Sequence, residues 1–358
     1  MKKTAKMLLI SIIILSLFGL LMIYSSSTIW ANYKFNDPYK YLKSQAFFLI
    51  LGYIIIYIVS KIDYSLYEKY SNHIFIIFTI FLILVLIPGV GSIRNGSRSW
   101  FGIGGFGIQP SEFAKLGLII FTSKYLSKNK IKNIKTSVLP ILMVVMLIFG
   151  LIMLQPDFGT GVIIVISIIA LLFISGVNIN FFIKIGILGL LGIIGLVIIA
   201  PYRMARITSF INPWSDPLGT GFQIIQSLYA IGPGGLLGMG LGNSVQKHFY
   251  LPEPQTDFIF SIISEELGIL GVLIVVTLFT SIIICGFKIA INEENKFSKY
   301  LSFGIAFSIA FQTILNLMVV TGLIPVTGVT LPFLSYGGSS LLVSMAEMGI
   351  LLNISKNT

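Results

Sequence analysis

The chain has 358 residues, of which 56% are hydrophobic and only 10% charged, and its mean hydropathy is +0.96. An ordinary soluble globule is roughly 45–50% apolar and about 25% charged, so a soluble enzyme and a disordered chain are both excluded. A single cysteine, Cys285, rules out an internal disulfide framework. The net charge of +11 invites a nucleic-acid reading, but the placement of the Lys and Arg residues argues for a polytopic membrane protein with no nucleic-acid partner.

Ten apolar runs are long enough, or nearly so, to cross about 30 Å of hydrocarbon: 7–27, 45–60, 71–88, 111–127, 137–154, 161–177, 181–200, 258–287, 301–321 and 338–354. The first follows Met1-Lys-Lys and is too long for a signal peptide's apolar region, so it reads as a span. The fourth is the weakest, because it carries Glu112, Lys115 and Lys124. With a cytoplasmic start, fifteen of the 24 Lys and Arg fall on inner segments and eight on outer ones. That is the positive-inside pattern, and it places both termini in the cytoplasm. All the arginines (Arg94, Arg98, Arg203 and Arg206) lie on the outer side, where a guanidinium fork suits phosphate. In the seventh span, Gly186, Gly189, Gly192 and Gly195 form a small-residue stripe, read as a site of close helix packing. The expected fold class is all-α: one polytopic domain over 1–358 with about ten transmembrane helices and a large extracellular loop, about 201–256, between helices seven and eight.

The unusual residues gather on the outer side. The long loop runs through Asn212-Pro-Trp-Ser-Asp-Pro and Gly232-Pro-Gly-Gly to Gln246-Lys-His-Phe-Tyr-Leu-Pro-Glu-Pro-Gln-Thr-Asp, and a structureless loop of this length is uncommon unless it is functional. Two further places are Arg94 to Lys115, and Gln155-Pro-Asp-Phe-Gly-Thr together with Thr327 to Ser340. Thirteen carboxylates make a census of candidate bases possible. Asp257 stands where the long loop becomes the eighth span, and at helical spacing Asp257, Ser261, Ser264 and Gly268 share one face with Glu265 beside it. An N-cap carboxylate is the plainer reading of Asp257. Glu112 and Lys115 are neighbours at i,i+3 within a span, either as a structural ion pair or as part of a polar cavity. Asp216, between Ser215 and Pro217, reads as a turn former.

No phosphate-binding P-loop, no His-Glu-x-x-His, no Cys/His cluster and no Asp-x-Asp occurs, and His73 and His248 are the only histidines. An ATP-driven pump, a zinc protease and a rhomboid-like serine protease therefore lack their parts. An outward-facing polar site with carboxylates and arginines at a membrane surface suits an amphiphilic, anionic, lipid-linked substrate, either for transfer chemistry or for transport.

Seven segments carry a more specific signal: Ser97-Arg-Ser-Trp, Gln109-Pro-Ser-Glu-Phe-Ala-Lys, Gln155-Pro-Asp-Phe-Gly-Thr, Asn212-Pro-Trp-Ser-Asp-Pro, Gln226-Ser-Leu-Tyr-Ala-Ile-Gly, Leu251-Pro-Glu-Pro-Gln-Thr-Asp-Phe-Ile-Phe and Leu331-Pro-Phe-Leu-Ser-Tyr-Gly-Gly-Ser-Ser. In this order they resemble the signature segments of the SEDS family (FtsW, RodA and SpoVE) over nearly the whole chain, most closely the SpoVE and FtsW branch of Gram-positive spore formers. The resemblance implies a peptidoglycan glycosyltransferase of the cell membrane, with its active site on the outer face, that polymerises lipid II for division or spore-cortex synthesis. It also implies a class B penicillin-binding protein as transpeptidase partner, beside other division or sporulation membrane proteins. The family's essential aspartate matches Asp257, and its acid and base in the fourth helix match Glu112 and Lys115. The α-linked pyrophosphate donor and β-1,4 product call for inversion and one general base. Arg98, Arg203, Arg206 and Lys247 are candidates to offset the pyrophosphate charge, by side and charge alone. Gln109 and Ser261 are expected to support the site, and the cofactor expectation is none, or a divalent Mg or Mn ion. A lipid II flippase is the competing function.

Overall fold

The computed structural model describes residues 3–94, 96–103, 106–129, 134–199 and 201–356, apart from the side chains at 94, 103, 106, 135, 193, 196 and 201–203. The apolar spans become helices because hydrocarbon offers no partner to a backbone N–H or C=O, so each span must satisfy its own. Ten long helices result among the described residues: α1 (Lys3–Phe35), α2 (Lys40–Val59), α3 (Tyr64–Leu84), α4 (Pro110–Lys128), α5 (Leu139–Met153), α6 (Phe158–Ile174), α7 (Ile179–Ile199), α10 (Ile259–Asn292), α11 (Lys296–Val320) and α12 (Gly338–Ile354). Two shorter ones, α8 (Pro201–Ile211) and α9 (Phe222–Ile231), lie between α7 and α10. Among the described residues six helices, at Lys3–Phe35, Lys40–Val59, Thr136–Met153, Ile179–Ile199, Ile259–Asn292 and Lys296–Val320, are long and apolar enough to cross a membrane, and α6 and α12 are shorter apolar helices.

Helix ends are set by side chains that satisfy the free N–H groups of a first turn. Asp63 caps α3 by accepting the Ser65 N–H at 2.8 Å, so α3 starts at Tyr64, before the apolar run itself. Asn295 caps α11 by accepting the N–H groups of Phe297 at 2.8 Å and Ser298 at 3.3 Å. Pro110 opens α4, a position where its missing N–H costs nothing.

The packing is centred on α4, α10, α11 and α12. α1 lies against α2 and α10, α12 against α2, α4 against α3, α6 and α11, and α10 against α11. Peripheral helices turn large apolar side chains outward, among them Ile187, Leu188, Leu190 and Leu191 of α7. A Cβ on Gly186, Gly189, Gly192 or Gly195 would meet no atom within 4 Å. The glycine stripe of α7 therefore packs against nothing among the described residues, contrary to the expectation from spacing.

The connections differ from a plain all-α reading in two respects. Residues 92–108 form a small antiparallel sheet, β1 (Ser92–Arg94), β2 (Ser97–Ile103) and β3 (Phe106–Ile108) in that order, with Ser92 opposite Trp100 and Phe101 opposite Ile108. The segment 201–256, expected to be structureless, contains α8, α9 and a run of turns. Hydrogen bonds tie alternate connections to each other: Ser97 Oγ donates to the Gln155 C=O, the Tyr336 N–H to the Gln255 C=O at 2.8 Å, and the Gln109 N–H to Ser339 Oγ at 2.9 Å. These connections share one end of the bundle, and Asp257 lies there.

Candidate functional site

Asp257 ends the α9–α10 connection, two residues before α10 begins at Ile259. Its side chain is partly buried, and Oδ1 accepts the Thr256 hydroxyl at 2.9 Å. Burial pushes the carboxyl above the ordinary carboxylate range. The Thr256 hydrogen bond opposes that shift, the Glu253 charge adds to it and the Arg206 charge opposes it. Glu253 sits in left-handed backbone at φ +42°. Arg206, on α8, is anchored by donating from Nη1 to the Val326 C=O at 2.9 Å. Among the candidate cations whose side chains are described, Arg206 is thus the one whose charge reaches Asp257.

The backbone of this segment is held on both sides. Asn316 of α11 donates from Nδ2 to the Asp257 C=O at 2.8 Å and to the Val329 C=O at 2.7 Å. The Tyr336 N–H donates to the Gln255 C=O. Asp257 is not on the expected helical stripe: it precedes α10, and Gly268 interrupts that helix at φ +61°. A Cβ at Gly268 would lie 2.5 Å from the Gly238 N, and one at Gly238 would run into the Glu266 C=O. Two glycines therefore let the turn after α9 lie directly on the break. Ser261 is buried and pairs with Ser227 Oγ of α9 at 2.7 Å.

Glu112 and Lys115 form a buried ion pair of 2.9 Å on α4. Lys115 also donates to Gln312 Oε1 of α11 at 2.9 Å, and Glu347 of α12 adds a second negative charge in its field. Gln312 passes the contact on, donating from Nε2 to the Thr330 C=O at 3.0 Å. At the start of α4, Gln109 Nε2 and Ser111 Oγ donate to Asp157 Oδ2 at 3.0 and 3.2 Å, while Asp157 Oδ1 caps α6 at the Thr160 N–H, 3.2 Å away. Burial raises Asp157 above the ordinary carboxylate range and its hydrogen bonds pull it back. The segments around Gln109 and Gln155, far apart in sequence, thus meet beside the 327–331 backbone, where Gly159 packs on Val329.

The remaining candidates are placed otherwise. Lys247 is 4% exposed and pairs with Glu266 at 2.8 Å, so its charge is spent inside the protein. Glu266 also accepts the Ser25 hydroxyl of α1, at 2.8 and 2.6 Å to its two oxygens, and Glu265 takes the Val245 N–H at 2.8 Å. Arg98 on β2 turns to its own connection, with Nη1 3.4 Å from the Leu86 C=O. The side chain of Arg203 lies outside the described residues. Asp216 makes the expected turn, accepting the Thr220 N–H at 2.7 Å and hydroxyl at 3.0 Å. Among the described residues no three His, Cys, Asp or Glu side chains converge to hold a metal. Sequence reasoning missed Gln312 and Asn316, whose only signal is a pair of amides at i,i+4 in an otherwise apolar span, and it missed that Lys247 belongs to Glu266.

A multi-pass helical bundle with a carboxylate held at one end of it defines the class. The model of the family FTSW_RODA_SPOVE, described as cell cycle protein, matches residues 5–358, and the chain belongs to that family. It is 51% identical to stage V sporulation protein E of Bacillus subtilis over 99% of this chain and 98% of that protein. It is 40% identical to the probable peptidoglycan glycosyltransferase FtsW of Coxiella burnetii, over 95% of this chain and 93% of that protein. Among solved structures it superposes at a TM-score of 0.80 and 28% identity on a chain described under "structural coordination of polymerization and crosslinking by a peptidoglycan synthase complex", covering 98% and 97% of the two chains. The rod shape determining protein RodA of Thermus thermophilus matches at 0.73 and 25%, covering 98% and 96%. The protein is a multi-pass membrane protein of peptidoglycan synthesis.

Proposed function

We propose that the protein is a peptidoglycan glycosyltransferase that polymerises lipid II, with Asp257 as general base. The supporting observation is a partly buried carboxyl, raised by burial and fixed through its own backbone at the mouth of a membrane bundle. Such a group is tuned toward the operating pH, where a general base works best. Asp257 takes the proton from the acceptor's 4-hydroxyl as that oxygen attacks the donor's anomeric carbon. The bond from that carbon to the pyrophosphate oxygen breaks, so the configuration inverts and undecaprenyl pyrophosphate leaves with the electron pair. Arg206 is the cation placed to offset the leaving charge. By the positive-inside rule both termini are cytoplasmic and this end of the bundle is outer. The likeness to a chain of a peptidoglycan synthase complex supports a class B penicillin-binding protein as the partner that crosslinks the product.

The test follows labelled lipid II on a gel with wild type and Asp257→Asn, each purified with its penicillin-binding protein. Polymer from wild type and a loss of about 10²–10⁴-fold in Asp257→Asn supports the base. Equal polymer from both removes Asp257 from the chemistry. No polymer from either, with lipid II crossing liposomes that contain the chain, replaces the polymerase by a flippase.

A further inference from the structure

A buried ion pair within one helix has no chemical reason to matter to a carboxylate that precedes another, unless something connects them. The structure supplies a connection. Lys115 holds Gln312 Oε1 at 2.9 Å, and the same amide donates to the Thr330 C=O at 3.0 Å. One turn further along α11, Asn316 donates to the adjacent Val329 C=O at 2.7 Å and to the Asp257 C=O at 2.8 Å. Gln312 and Asn316 are 1% and 0% exposed, so no solvent competes for these bonds, and an amide supplies two N–H donors for two carbonyls where a hydroxyl supplies one. At i,i+4 the two amides stand on one face of α11.

We propose that Gln312 and Asn316 are positioning residues of the transferase, which clamp the 329–330 backbone between the Glu112–Lys115 ion pair and the backbone of Asp257 and so fix where the base stands. This rests on Asp257 being that base. The charged groups facing the two ends are Glu112 and Glu347 around Lys115, and Glu253 and Arg206 around Asp257. Removing the clamp frees Asp257 to move against Glu253 and Arg206, which changes its titration as well as its aim. A displacement of about 1 Å costs on the order of 10²-fold in rate.

The experiment measures polymerisation by the full chain with its penicillin-binding protein, as kcat and KM for lipid II across pH. The variants are Gln312→Met, Asn316→Leu, the double variant and Asp257→Asn. Asn316→Ser, which leaves room for a water to reach both carbonyls, replaces Asn316→Leu if the latter does not fold. Expected for Asn316→Leu is a kcat about 10–100-fold lower, KM within about threefold of wild type, and a displaced acidic limb in the kcat profile. The double variant falls no more than about threefold below Asn316→Leu, because both amides act on one backbone pair. A whole profile scaled down with its limb in place, tracking the folded fraction, overturns the clamp, as do fully additive losses. Asp257→Asn separates the two readings: inactive, with the amide variants at wild-type rate and limb, it leaves the base standing and removes the clamp. If Asp257→Asn is active, both are removed.

Discussion

The two buried ion pairs among the described residues are alike in length, 2.9 Å for Lys115 with Glu112 and 2.8 Å for Lys247 with Glu266, and opposite in design. Glu266 is saturated: Lys247, the Ser25 hydroxyl and the Ser244 N–H all donate to it, joining α1, α10 and the turn after α9. The α4 pair is open-ended. Lys115 faces two carboxylates, Glu112 and Glu347, and hands a hydrogen bond onward to Gln312. A closed cluster fastens elements together, whereas an open one can set the position of something else. Burial and a short N–O distance do not distinguish the two; the remaining partners do.

The largest effect should come from Lys115→Met, which strands two buried carboxylates and releases Gln312. Removing one partner of a buried pair costs about 3–5 kcal/mol, and here two groups lose their counter-charge. Both thermal stability in detergent and polymerisation should fall. A variant of wild-type stability would mean that Glu112 and Glu347 do not depend on Lys115. Glu266→Leu comes next, again about 3–5 kcal/mol because Lys247 is left buried and unpaired. The comparison is sharpened by adding Lys247→Met: with both charges gone, stability should return to within about 1–2 kcal/mol of wild type. No recovery would mean that the Ser25 and Ser244 hydrogen bonds, and not the ion pair, carry the joint.

The difference between the two clusters also marks what the sequence could tell. The helices at the ten apolar runs were legible, six of them long and apolar enough to cross a membrane among the described residues, because a bilayer demands continuous apolar helices and writes that demand in composition. Even the weak fourth span, with Glu112, Lys115 and Lys124, is a helix, and the i,i+3 spacing of its ion pair was readable. Asp257 was legible through its segment and its place before α10. Lys247 was misread, because charge and loop position say nothing about a glutamate nineteen residues on that reaches it only after the turns fold back onto the Gly268 break. The small sheet at 92–108 hides in glycine-rich sequence with no long alternation. Asn316 and Gln312 are single polar letters in an apolar run, and the acceptors of their N–H groups are backbone carbonyls, which leave no trace in residue identity.

The pH dependence separates the two ends of the clamp. The Asp257 carboxyl lies above its ordinary range because burial opposes its charged form, and a base must be ionised to accept a proton. Polymerisation should therefore fall as pH drops through this raised value, about tenfold per unit beneath it, with the limb above the usual aspartate value of about 3.9. Lysine at 247 replaced together with Glu266 should leave that limb in place, because the charges that shift Asp257 are those of Glu253 and Arg206. A limb at the ordinary aspartate value would show that burial does not govern the working base.

The smallest effect is the most diagnostic. Glu347 is fully buried, yet neither carboxyl oxygen has a hydrogen-bond partner among the described residues. Glu347→Gln keeps the volume, removes a charge from a site that gives it only the field of Lys115, and leaves Lys115 with Glu112. Desolvation relieved and attraction lost act in opposite directions, so melting should shift by the equivalent of less than about 1 kcal/mol, in either direction. A loss as large as that of Lys115→Met would make Glu347, and not Glu112, the counter-ion on which Lys115 depends. The open cluster would then point across to α12 instead of along α11 toward Asp257.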